Sequence, residues 1–340
     1  MERSGEIVLV DYELMRSVFE GILLKEGFSE EDASKCAGIF AQNSLEGVNS
    51  HGVNRFHRFV RNVTEGLIKP GMIPSFINGF GSFEQWDGNL APGPLNASFA
   101  TERVIGIAEK NGIGIVTLAH TNHWMRGGTY GWQSARKGFV YIAWTNTCPN
   151  MPAWGAKEPK LGNNPFVMAV PYMNEAIVLD FAMTQYSYGK METYYREGKK
   201  LPYPGGYNKT GDLTSDPLEI MDSWRPLPMG FWKGAAFSLL LDILATVLSS
   251  GMSTHQIESC FSEYNVSQVF IAIAISHLQD FPAIDNSIRQ IIDDLKRSTP
   301  AFDGAEVRYP GEKTGEIREA NLRDGTPVVK DVWEKIRGLQ

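Results

Sequence analysis

The stretch Ile113-Gly114-Ile115-Val116-Thr117-Leu118-Ala119 decides which fold this chain can adopt, because it predicts a buried β-strand. Gly112 and Gly114 give the nearest approach to the G-x-G-x-x-G fingerprint of dinucleotide-binding α/β proteins. Here the pair precedes a strand instead of joining a strand to a helix, and the third glycine is missing. If the chain binds a dinucleotide, it therefore does so outside the doubly wound fold.

Polar residues follow this strand in the order His120-Thr121-Asn122-His123-Trp124. Loops that contact ligands often lie at the ends of strands in α/β proteins. We therefore expect Asn122 and His123 to line a substrate site. The alternative is a turn in which the Asn and His side chains bond to the local backbone.

The hydrophobic pattern predicts helices before this strand and a mixture of strands and helices after it. Three short helices, over 12–25, from 33 towards 46, and from about 50 to 63, end at Lys69-Pro70-Gly71 and predict a helical domain over 1–75. The C-terminal helices, 315–340, could pack on it, and 76–314 would form a larger domain. The further predicted strands are 78–87, 139–145, 166–170, 176–182 and 268–275, and the further helices are 95–110, 126–137, 188–199, 235–249 and 284–297. We expect helix 235–249 to be buried, and 201–230 to be a long surface loop.

Composition restricts the class of protein. The chain has 340 residues, 43% hydrophobic and 21% charged, which is typical of a soluble globular protein. Its net charge of −7 argues against binding to nucleic acid or to anionic membranes. Cys36, Cys148 and Cys260 are far apart and in no metal-ligand spacing, so we expect reduced thiols in a cytoplasmic protein. We find no signal-peptide pattern and no apolar run long enough to span a bilayer.

A second stretch, Asn49-Ser50-His51-Gly52-Val53-Asn54-Arg55, gathers an imidazole, a hydroxyl and a guanidinium. His51 could exchange a proton near neutral pH. If a helix starts here, Arg55 lies on the same side, and its planar fork suits a carboxylate. A proton donor beside a carboxylate anchor is what reduction of a 2-oxo acid needs. The alternative is a helix capped by Asn49 or Ser50, with His51 and Arg55 facing solvent.

Aromatic residues suggest what kind of substrate could bind. Four of the eight tryptophans lie between Trp124 and Trp154. Ring faces contact C–H surfaces while polar groups are read at the side, so these rings would suit a hydroxylated carbon chain. They could equally be core or dimer-interface residues.

Three weaker features could contact a nucleotide. Asp180 leaves a predicted strand and could bind a ribose hydroxyl or orient a histidine, or simply cap the strand end. Backbone N–H groups at 230–234, with Lys233, would suit a phosphate, although a solvated loop lysine is the simpler interpretation. The turn 309–313 is a third polar feature of the same kind.

Taken together, these stretches resemble the malate/L-lactate dehydrogenase-like family of NAD(P)-dependent oxidoreductases, which is distinct from the Rossmann-fold lactate dehydrogenases. The resemblance covers nearly the whole chain, and several motifs occur in order with compatible spacing. These motifs are Ser50-His51-Gly52-Val53-Asn54-Arg55, Asn122-His123-Trp124-Met125-Arg126-Gly127-Gly128, Gly162-Asn163-Asn164-Pro165, Leu179-Asp180-Phe181-Ala182 and Trp232-Lys233-Gly234. One departure is Phe181, where a methionine is expected after the aspartate.

The resemblance implies an α/β (α+β) fold in which a mainly antiparallel sheet, not a Rossmann fold, binds the dinucleotide. It implies reduction of a 2-oxo sugar acid with NADH, or with NADPH, by a homodimer with a shared active site and no metal. His51 would be the proton donor, and Ser50, Arg55, Asn122 and His123 would contact the substrate. Cofactor contacts would fall on Ala176, Ile177, Val178, Leu179, Asp180, Phe181, Ala182, Trp232, Lys233, Gly311, Glu312 and Lys313.

The mechanism we expect is hydride transfer to the C2 carbonyl, with a protonated His51 donating to the developing alkoxide. A malate/lactate-type or imino-acid reductase of the same family is the nearest alternative. Two alternatives from other classes stay open. One is a metal-dependent hydrolase or lyase that uses His51, His120, His123 and Asp180, and the other is a non-catalytic sugar-acid binder.

Overall fold

A computed structural model describes residues 5–257, 263–279 and 281–340 of the chain. The helices in these ranges are α1 (Tyr12–Lys25), α2 (Glu30–Leu45), α3 (Val53–Thr64), α4 (Gly93–Asn111), α5 (Gly128–Arg136), α6 (Tyr188–Arg196), α7 (Pro217–Ser223), α8 (Trp232–Ser249), α9 (Phe281–Lys296), α10 (Thr314–Asp324) and α11 (Lys330–Arg337). The strands are β1 (Ile7–Val10), β2 (Ser75–Phe80), β3 (Phe83–Asp87), β4 (Ile113–Asn122), β5 (Phe139–Thr145), β6 (Met151–Pro152), β7 (Pro159–Leu161), β8 (Phe166–Tyr172), β9 (Glu175–Phe181), β10 (Gly206–Tyr207), β11 (Leu213–Thr214), β12 (Tyr264–Ala274) and β13 (Thr326–Val329).

The main sheet has seven strands in the order β2-β3-β4-β12-β5-β8-β9. Only β3 and β4 run parallel, and all other neighbours are antiparallel. Strand β12, which comes late in the sequence, lies in the centre of the sheet between β4 and β5. The sheet therefore forms only when distant parts of the chain meet. The predicted mainly antiparallel, non-Rossmann sheet is confirmed.

Helices cover both faces of this sheet. On one face α4 and α5 pack against buried side chains that include Val116, Leu118 and Phe270. On the other face α8 contributes Leu241 and Ala245 to a second apolar cluster. The central strand β12 is buried over most of its length because both faces are covered, which explains its unbroken apolar run over 269–274.

A separate core holds the N-terminal helices together. Phe19 of α1 stacks on Phe56 of α3 with ring centroids 4.1 Å apart, and Trp333 and Ile336 of α11 join the same core. Strand β1 pairs with β13, a two-stranded ribbon that the sequence pattern did not predict because both strands are only four residues long. We propose that the domain division at residue 75, with 315–340 added to the helical part, follows this core.

Two sequence predictions about the second half are wrong. The region 201–230 is not a plain surface loop, since it contains β10, β11 and α7 and buries Leu201, Ile220 and Leu227. Its local core forms with α6, which a count of Pro, Gly and Asp does not reveal. Helix α8 is not buried all round, since Leu240 and Val247 are 55% and 67% exposed.

Helix α8 is also the one helix in the described ranges that is long and apolar enough to cross a membrane by length and composition alone. Side-chain hydrogen bonds attach it to the sheet. The Trp144 indole donates to the Leu241 carbonyl, and the Gln85 amide donates to the Leu248 carbonyl. Asn164 Nδ2 donates to the Ser238 carbonyl. These hydrogen bonds show that α8 packs against the seven-stranded sheet.

The cysteines differ from the sequence prediction. Cys36 is a free, fully buried thiol in the helical core. Cys148 takes part in a disulfide bond, so the prediction that it is a reduced thiol is wrong. Cys260 lies outside the described residues. Linear spacing cannot show which cysteines the folded chain brings together, which is why the prediction failed.

Gly52 permits the close approach of α2 to the start of α3. A Cβ atom at this position would lie 2.1 Å from Ser44 Oγ and 2.8 Å from the Phe40 carbonyl. We predict that Gly52→Ala lowers the free energy of unfolding by about 1–3 kcal/mol, because backbone must move. Urea unfolding measures this. Gly38→Ala is the control, because a Cβ there meets nothing within 4 Å and should stabilise α2. Equal stability of Gly52→Ala and the unmodified protein would contradict the prediction.

Candidate active site

The segment 49–55 forms a short 3₁₀ turn, Asn49–His51, followed by helix α3 from Val53. The expected helix start near Ser50 is therefore wrong by about one turn, and His51 and Arg55 are not on one helix. Neither Asn49 nor Ser50 caps α3, since the Asn49 amide donates to the Pro327 carbonyl and the N-cap is Gly52. The turn is fixed by Asn43, whose amide donates to the His51 carbonyl at 2.9 Å.

The His51 ring is held between Ser50 and His123. Ser50 Oγ lies 3.0 Å from His51 Nδ1, and the rings of His51 and His123 stack with centroids 5.7 Å apart. Gly189 at the start of α6 touches Ser50, because a Cβ at Gly189 would lie 2.5 Å from the Ser50 Cβ. With Nδ1 engaged by a hydroxyl, Nε2 is the atom through which His51 can exchange a proton with a substrate.

His123 has a fixed orientation. Its Nδ1 accepts a hydrogen bond from the Met125 backbone N–H at 2.9 Å, so the neutral ring carries its proton on Nε2. His120 and Met125, which flank it, adopt the left-handed φ angles of 48° and 68°. Backbone strain of this kind persists where the surrounding structure enforces it, often at functional sites.

The other polar residues at the end of β4 face away from His123. His120 Nδ1 pairs with Asp87 Oδ2 at 2.8 Å. The buried Asn122 amide donates to the carbonyls of Leu90 and Ala91 at 2.9 and 3.0 Å. Asn122 therefore does what the alternative prediction described, bonding to backbone, and we leave it out of the proposed substrate contacts.

A pocket opens beside these histidines. Its lining residues come from α3 and the segment after it, from the segment that follows β4, and from the position just before β12. They are Arg55, Arg58, Phe59, Asn62, Ile68, His123, Met125 and Glu263. Arg55 Nη2 lies 3.5 Å from Glu263 Oε2, and the two side chains are 27% and 10% exposed. The structure therefore places Arg55 and His123 in one pocket, and His51, which is not a lining residue, stacks on His123. The helical spacing that suggested this grouping is not what produces it.

The charge of His51 differs from the expectation. Burial, together with the positive charges of Arg55 and Arg126, lowers the pKa of His51 to about 3. The pKa of His123 lies well below its ordinary value for the same first reason, burial. In the free site the His51 ring is therefore neutral at pH 7, whereas the expected mechanism needs the ring protonated when the substrate is bound.

Arg126 connects the helical core to the segment that follows β4. Its guanidinium bonds to the Glu46 carboxylate, and the two side chains are only 10% and 5% exposed. Glu46 ends α2 and Arg126 follows β4, so this pair joins the helical core to the sheet. Sequence reasoning missed the role of Arg126, although the residue lies within a quoted motif.

The predicted cofactor residues form two groups, one made of β9 and the turn at 309–313, and the other at the start of α8. Strand β9 forms an edge of the sheet, and the turn at 309–313 packs along its outer side, where the Val178 N–H donates to the Pro310 carbonyl at 3.4 Å. Gly311 fits there because a Cβ would lie 3.0 Å from the Trp132 ring and 3.3 Å from the Val178 carbonyl. Lys313 Nζ pairs with Glu306 at 3.1 Å, and Glu312 pairs with Lys296.

Asp180 lies at the end of β9, and its Oδ2 accepts from the Gly128 N–H at 2.7 Å. Phe181 packs edge-on against Phe166, with ring centroids 6.1 Å apart, and Phe237 of α8 contacts the same ring. Through these aromatic rings the start of α8 lies on the same side of the sheet as Phe181. Asp180, the preceding residue of β9, instead faces the side of the sheet that α5 covers.

One expected phosphate site is not formed as predicted. The backbone N–H groups of Lys233 and Gly234 donate to the carbonyls of Gly230 and Met229. A positive φ of 61° at Phe231 turns the chain so that these bonds form. The exposed Lys233 side chain is what remains to meet a phosphate.

The tryptophan cluster is mostly core. Trp124, Trp132 and Trp144 are 1%, 7% and 5% exposed, and only Trp154 is largely exposed. The prediction that this cluster lines a sugar site is wrong for the first three, because alternate residues of strands and helix faces turn inward.

The predicted metal ligands do not come together, since no group of three His, Cys, Asp or Glu side chains in the described ranges could hold a metal.

Sequence reasoning also missed three pocket residues: Arg58, Asn62 and Glu263. Arg58 and Asn62 lie three and seven residues after Arg55, so helical periodicity could have found them. Glu263 comes from a segment more than two hundred residues later. Nothing in its local sequence indicates that it faces Arg55.

Residues 10–337 match the malate/L-lactate dehydrogenase family. Proteins named 2,3-diketo-L-gulonate reductase, from Citrobacter koseri and Klebsiella pneumoniae, are each 41% identical over 331 residues and cover 97% of this chain and 99% of their own. The solved structure of malate dehydrogenase from Entamoeba histolytica superposes with a TM-score of 0.92 at 24% identity, covering 98% of this chain and 97% of that chain. The solved structure of sulfolactate dehydrogenase from Methanocaldococcus jannaschii superposes with a TM-score of 0.89 at 26% identity, covering 98% of this chain and 96% of that chain.

These full-length matches to dehydrogenases and reductases make the protein an oxidoreductase of the kind that uses a nicotinamide cofactor. The chain belongs to the malate/L-lactate dehydrogenase family. The resemblance stated from its motifs is confirmed, as is the fold that the resemblance implied.

The low pKa of His51 can be measured directly. We predict that the His51 ring stays neutral in NMR titrations from about pH 8 to pH 4, because its pKa is about 3. The His51→Asn variant identifies its signals. Since the folded pKa lies below the unfolded value of 6.5, the unfolded chain binds more protons between the two, and this group destabilises the fold as the pH falls from 6.5 towards 3. A titration midpoint near pH 6.5 would contradict the prediction.

Proposed function

We propose that this protein is an NADH-dependent reductase of a 2-oxo sugar acid, most specifically of 2,3-diketo-L-gulonate to 3-dehydro-L-gulonate. The observation that carries the proposal is the pocket in which Arg55 and His123 face each other, with His51 stacked 5.7 Å from His123. The name of the 41% identical relatives supports the substrate. We place the enzyme in carbohydrate metabolism. The expected cytoplasmic location was argued from reduced thiols, and the disulfide bond of Cys148 removes that support.

Arg55 would bind the substrate carboxylate through its planar guanidinium. A carboxylate bound there offsets the positive charge that helps to lower the pKa of His51. The pKa of His51 should therefore rise when the substrate binds, so that the ring is protonated when the alkoxide develops. In the reverse direction the neutral ring is ready to act as a base. We also propose that Ser50 orients His51 and that His123 Nε2–H binds the oxygens of the substrate.

The residues around β9 fit a nicotinamide dinucleotide. One carboxylate oxygen of Asp180 has a hydrogen bond to Gly128, and the other can accept from a ribose hydroxyl. The lysines Lys233 and Lys313 can meet phosphates. The main chain of 176–182 and 311–313, with Glu312 and Trp232, would complete the contacts. When bound, the reduced cofactor supplies the hydride.

Arg55 and His123 do not by themselves tell one 2-oxo acid from another. A malate/lactate-type or imino-acid reductase of the same family stays the alternative function, since the same anchor and proton donor would serve it. NADPH in place of NADH stays open in the same way. A panel of acids and both cofactors separates these activities.

We propose a homodimer that uses the exposed face of α8. The helix is about 27 Å long, and its outer face is lined by apolar side chains, namely Trp232, Leu239, Leu240, Ile243, Leu244 and Val247. Monomeric soluble proteins rarely leave so long an apolar surface in water. Two copies that meet through the same face bury it symmetrically, and Lys233 at one end lies beside the proposed cofactor site.

The proposed function is tested with purified enzyme, NADH and a panel of 2,3-diketo-L-gulonate, oxaloacetate and pyruvate. We expect turnover with the first, and we predict that His51→Asn lowers kcat by about 10²–10⁴-fold, because proton transfer is lost. Binding of NADH, followed by fluorescence, should not change. His277→Asn is the control, since this exposed histidine lies at the opposite end of β12.

An unchanged kcat in His51→Asn would show that His51 is not the proton donor. If the unmodified enzyme oxidises NADH with none of the acids, the proposed function is wrong.

The dimer is tested by replacing apolar residues on α8. We predict that Leu240→Glu together with Val247→Glu converts the dimer to monomers in sedimentation equilibrium, because two charges would be buried in each half of the interface. Leu9→Glu, which changes an equally exposed apolar residue on β1, is the matched control and should leave the dimer intact. A monomeric unmodified protein, or a dimer that survives the double change, would contradict the proposal.

A further inference from the structure

The pocket contains one carboxylate that the proposed reaction does not use, that of Glu263. Its side chain is 10% exposed, and its Oε2 lies 3.5 Å from Arg55 Nη2 and 3.9 Å from His123 Nε2. Its Oε1 has no hydrogen-bond partner within the described part of the chain, while burial raises the pKa of the carboxyl group and Arg55 and the Cys148 backbone N–H act to lower it. An unsatisfied oxygen on a nearly buried carboxylate is energetically costly, and a donor on a bound ligand would relieve that cost.

The charges around the pocket are already balanced. Arg55 faces Glu263, and the next arginine along α3, Arg58, lies 3.9 Å from Glu192. The two positive and two negative charges cancel, and His51 is neutral at pH 7. A substrate with one carboxylate can share Arg55. A second carboxylate would find no unpaired cation among the described lining residues and would lie near Glu263.

The unsatisfied polar atoms of the pocket are acceptors. Asn62, on the same face of α3 as Arg55, has a buried Oδ1 without a hydrogen-bond partner in the ranges that the structure describes. With Glu263 Oε1 this gives two acceptor oxygens. Hydroxyl groups are donors, so a chain of hydroxylated carbons satisfies both oxygens, whereas a carboxylate has no proton to offer at neutral pH.

We propose that Glu263 is a specificity-determining residue that selects 2-oxo acids with hydroxyl groups on their distal carbons and rejects those with a second carboxylate. This inference rests on the proposed function, because it takes reduction of a 2-oxo acid as the reaction. Hydrogen bonds to an ionised acceptor are stronger than neutral ones, and like charges in a nearly buried pocket repel strongly. Both effects act in the same direction on the choice of substrate.

The test compares Glu263→Gln with the unmodified enzyme on three acids, with NADH as the reductant. For 2,3-diketo-L-gulonate we predict that kcat/KM falls about tenfold or more, and for oxaloacetate that it rises by a similar factor. Pyruvate, which has neither hydroxyl groups nor a second carboxylate, should change by less than about threefold. Opposite signs for two substrates cannot come from a general loss of structure.

Two further variants act as controls. Glu84→Gln removes a carboxylate that pairs with Arg103 away from the pocket, and it should leave the ratio of the three kcat/KM values unchanged. Glu263→Asp keeps the negative charge and should retain the rejection of oxaloacetate. An equal change of all three substrates in Glu263→Gln would overturn the proposal, because Glu263 would then merely position Arg55. No change in any of them would overturn it as well.

Binding to the unmodified enzyme gives a second measurement, which decides the question if Glu263→Gln does not fold. Calorimetry with L-gulonate and with malate, each in the presence of NADH, should show L-gulonate binding at least about tenfold more tightly. Malate binding equally or more tightly would overturn the proposal. This comparison needs no turnover, so it is distinct from the test of the proposed function, which fails when no acid is reduced.

Discussion

The buried ion pair between Arg126 and Glu46 is the interaction on which the arrangement of this site depends. It joins the end of α2 to the loop that follows β4, so the helical core and the sheet core have one fixed relation. Gln42 donates to the same carboxylate at 2.6 Å, and Arg318 of α10 lies 3.9 Å from it. Removing one partner of such a pair leaves an uncompensated buried charge, which typically costs about 3–5 kcal/mol.

The same pair has an electrostatic consequence. His51 comes from the helical side and His123 from the sheet side, and the ion pair keeps their two segments together. Burial, with smaller contributions from Arg55 and Arg126, lowers the pKa of His51, so the free site holds a neutral imidazole beside two arginines that are each paired with a carboxylate. In the proposed reaction the anionic substrate binds first and the ring gains its proton afterwards. Binding of the carboxylate and protonation of the histidine are therefore coupled.

The sequence predicted most helices and strands because their patterns are local. Helix α1 was predicted with both ends correct, and β5 likewise. The ribbon of β1 and β13 was missed because its pairing joins the two ends of the chain. The exposed face of α8 was missed because apolar residues around a whole helix suggest burial by protein, whereas one face here is open in the single chain.

In the candidate site, too, local sequence patterns did not reveal how the chain folds. The stretch 49–55 led to His51 and Arg55 through a helix that does not start where it was expected, so the residues were found by their chemistry and not by their spacing. Other residues in the motifs that carried the family resemblance stabilise the fold. Asn122 donates hydrogen bonds to backbone carbonyls, and Asn164 attaches α8 to the sheet.

Motif similarity therefore identifies the family more safely than it identifies substrate contacts. Residues that hold the scaffold must keep their partners whatever acid is bound, whereas residues that choose the acid need only face the pocket. Glu263, the residue proposed to select the substrate, illustrates the difference. It belongs to none of the motifs that carried the family resemblance, and it lies 3.5 Å from Arg55, the proposed carboxylate anchor. Within this family, the choice of substrate is best sought among pocket residues outside the shared motifs.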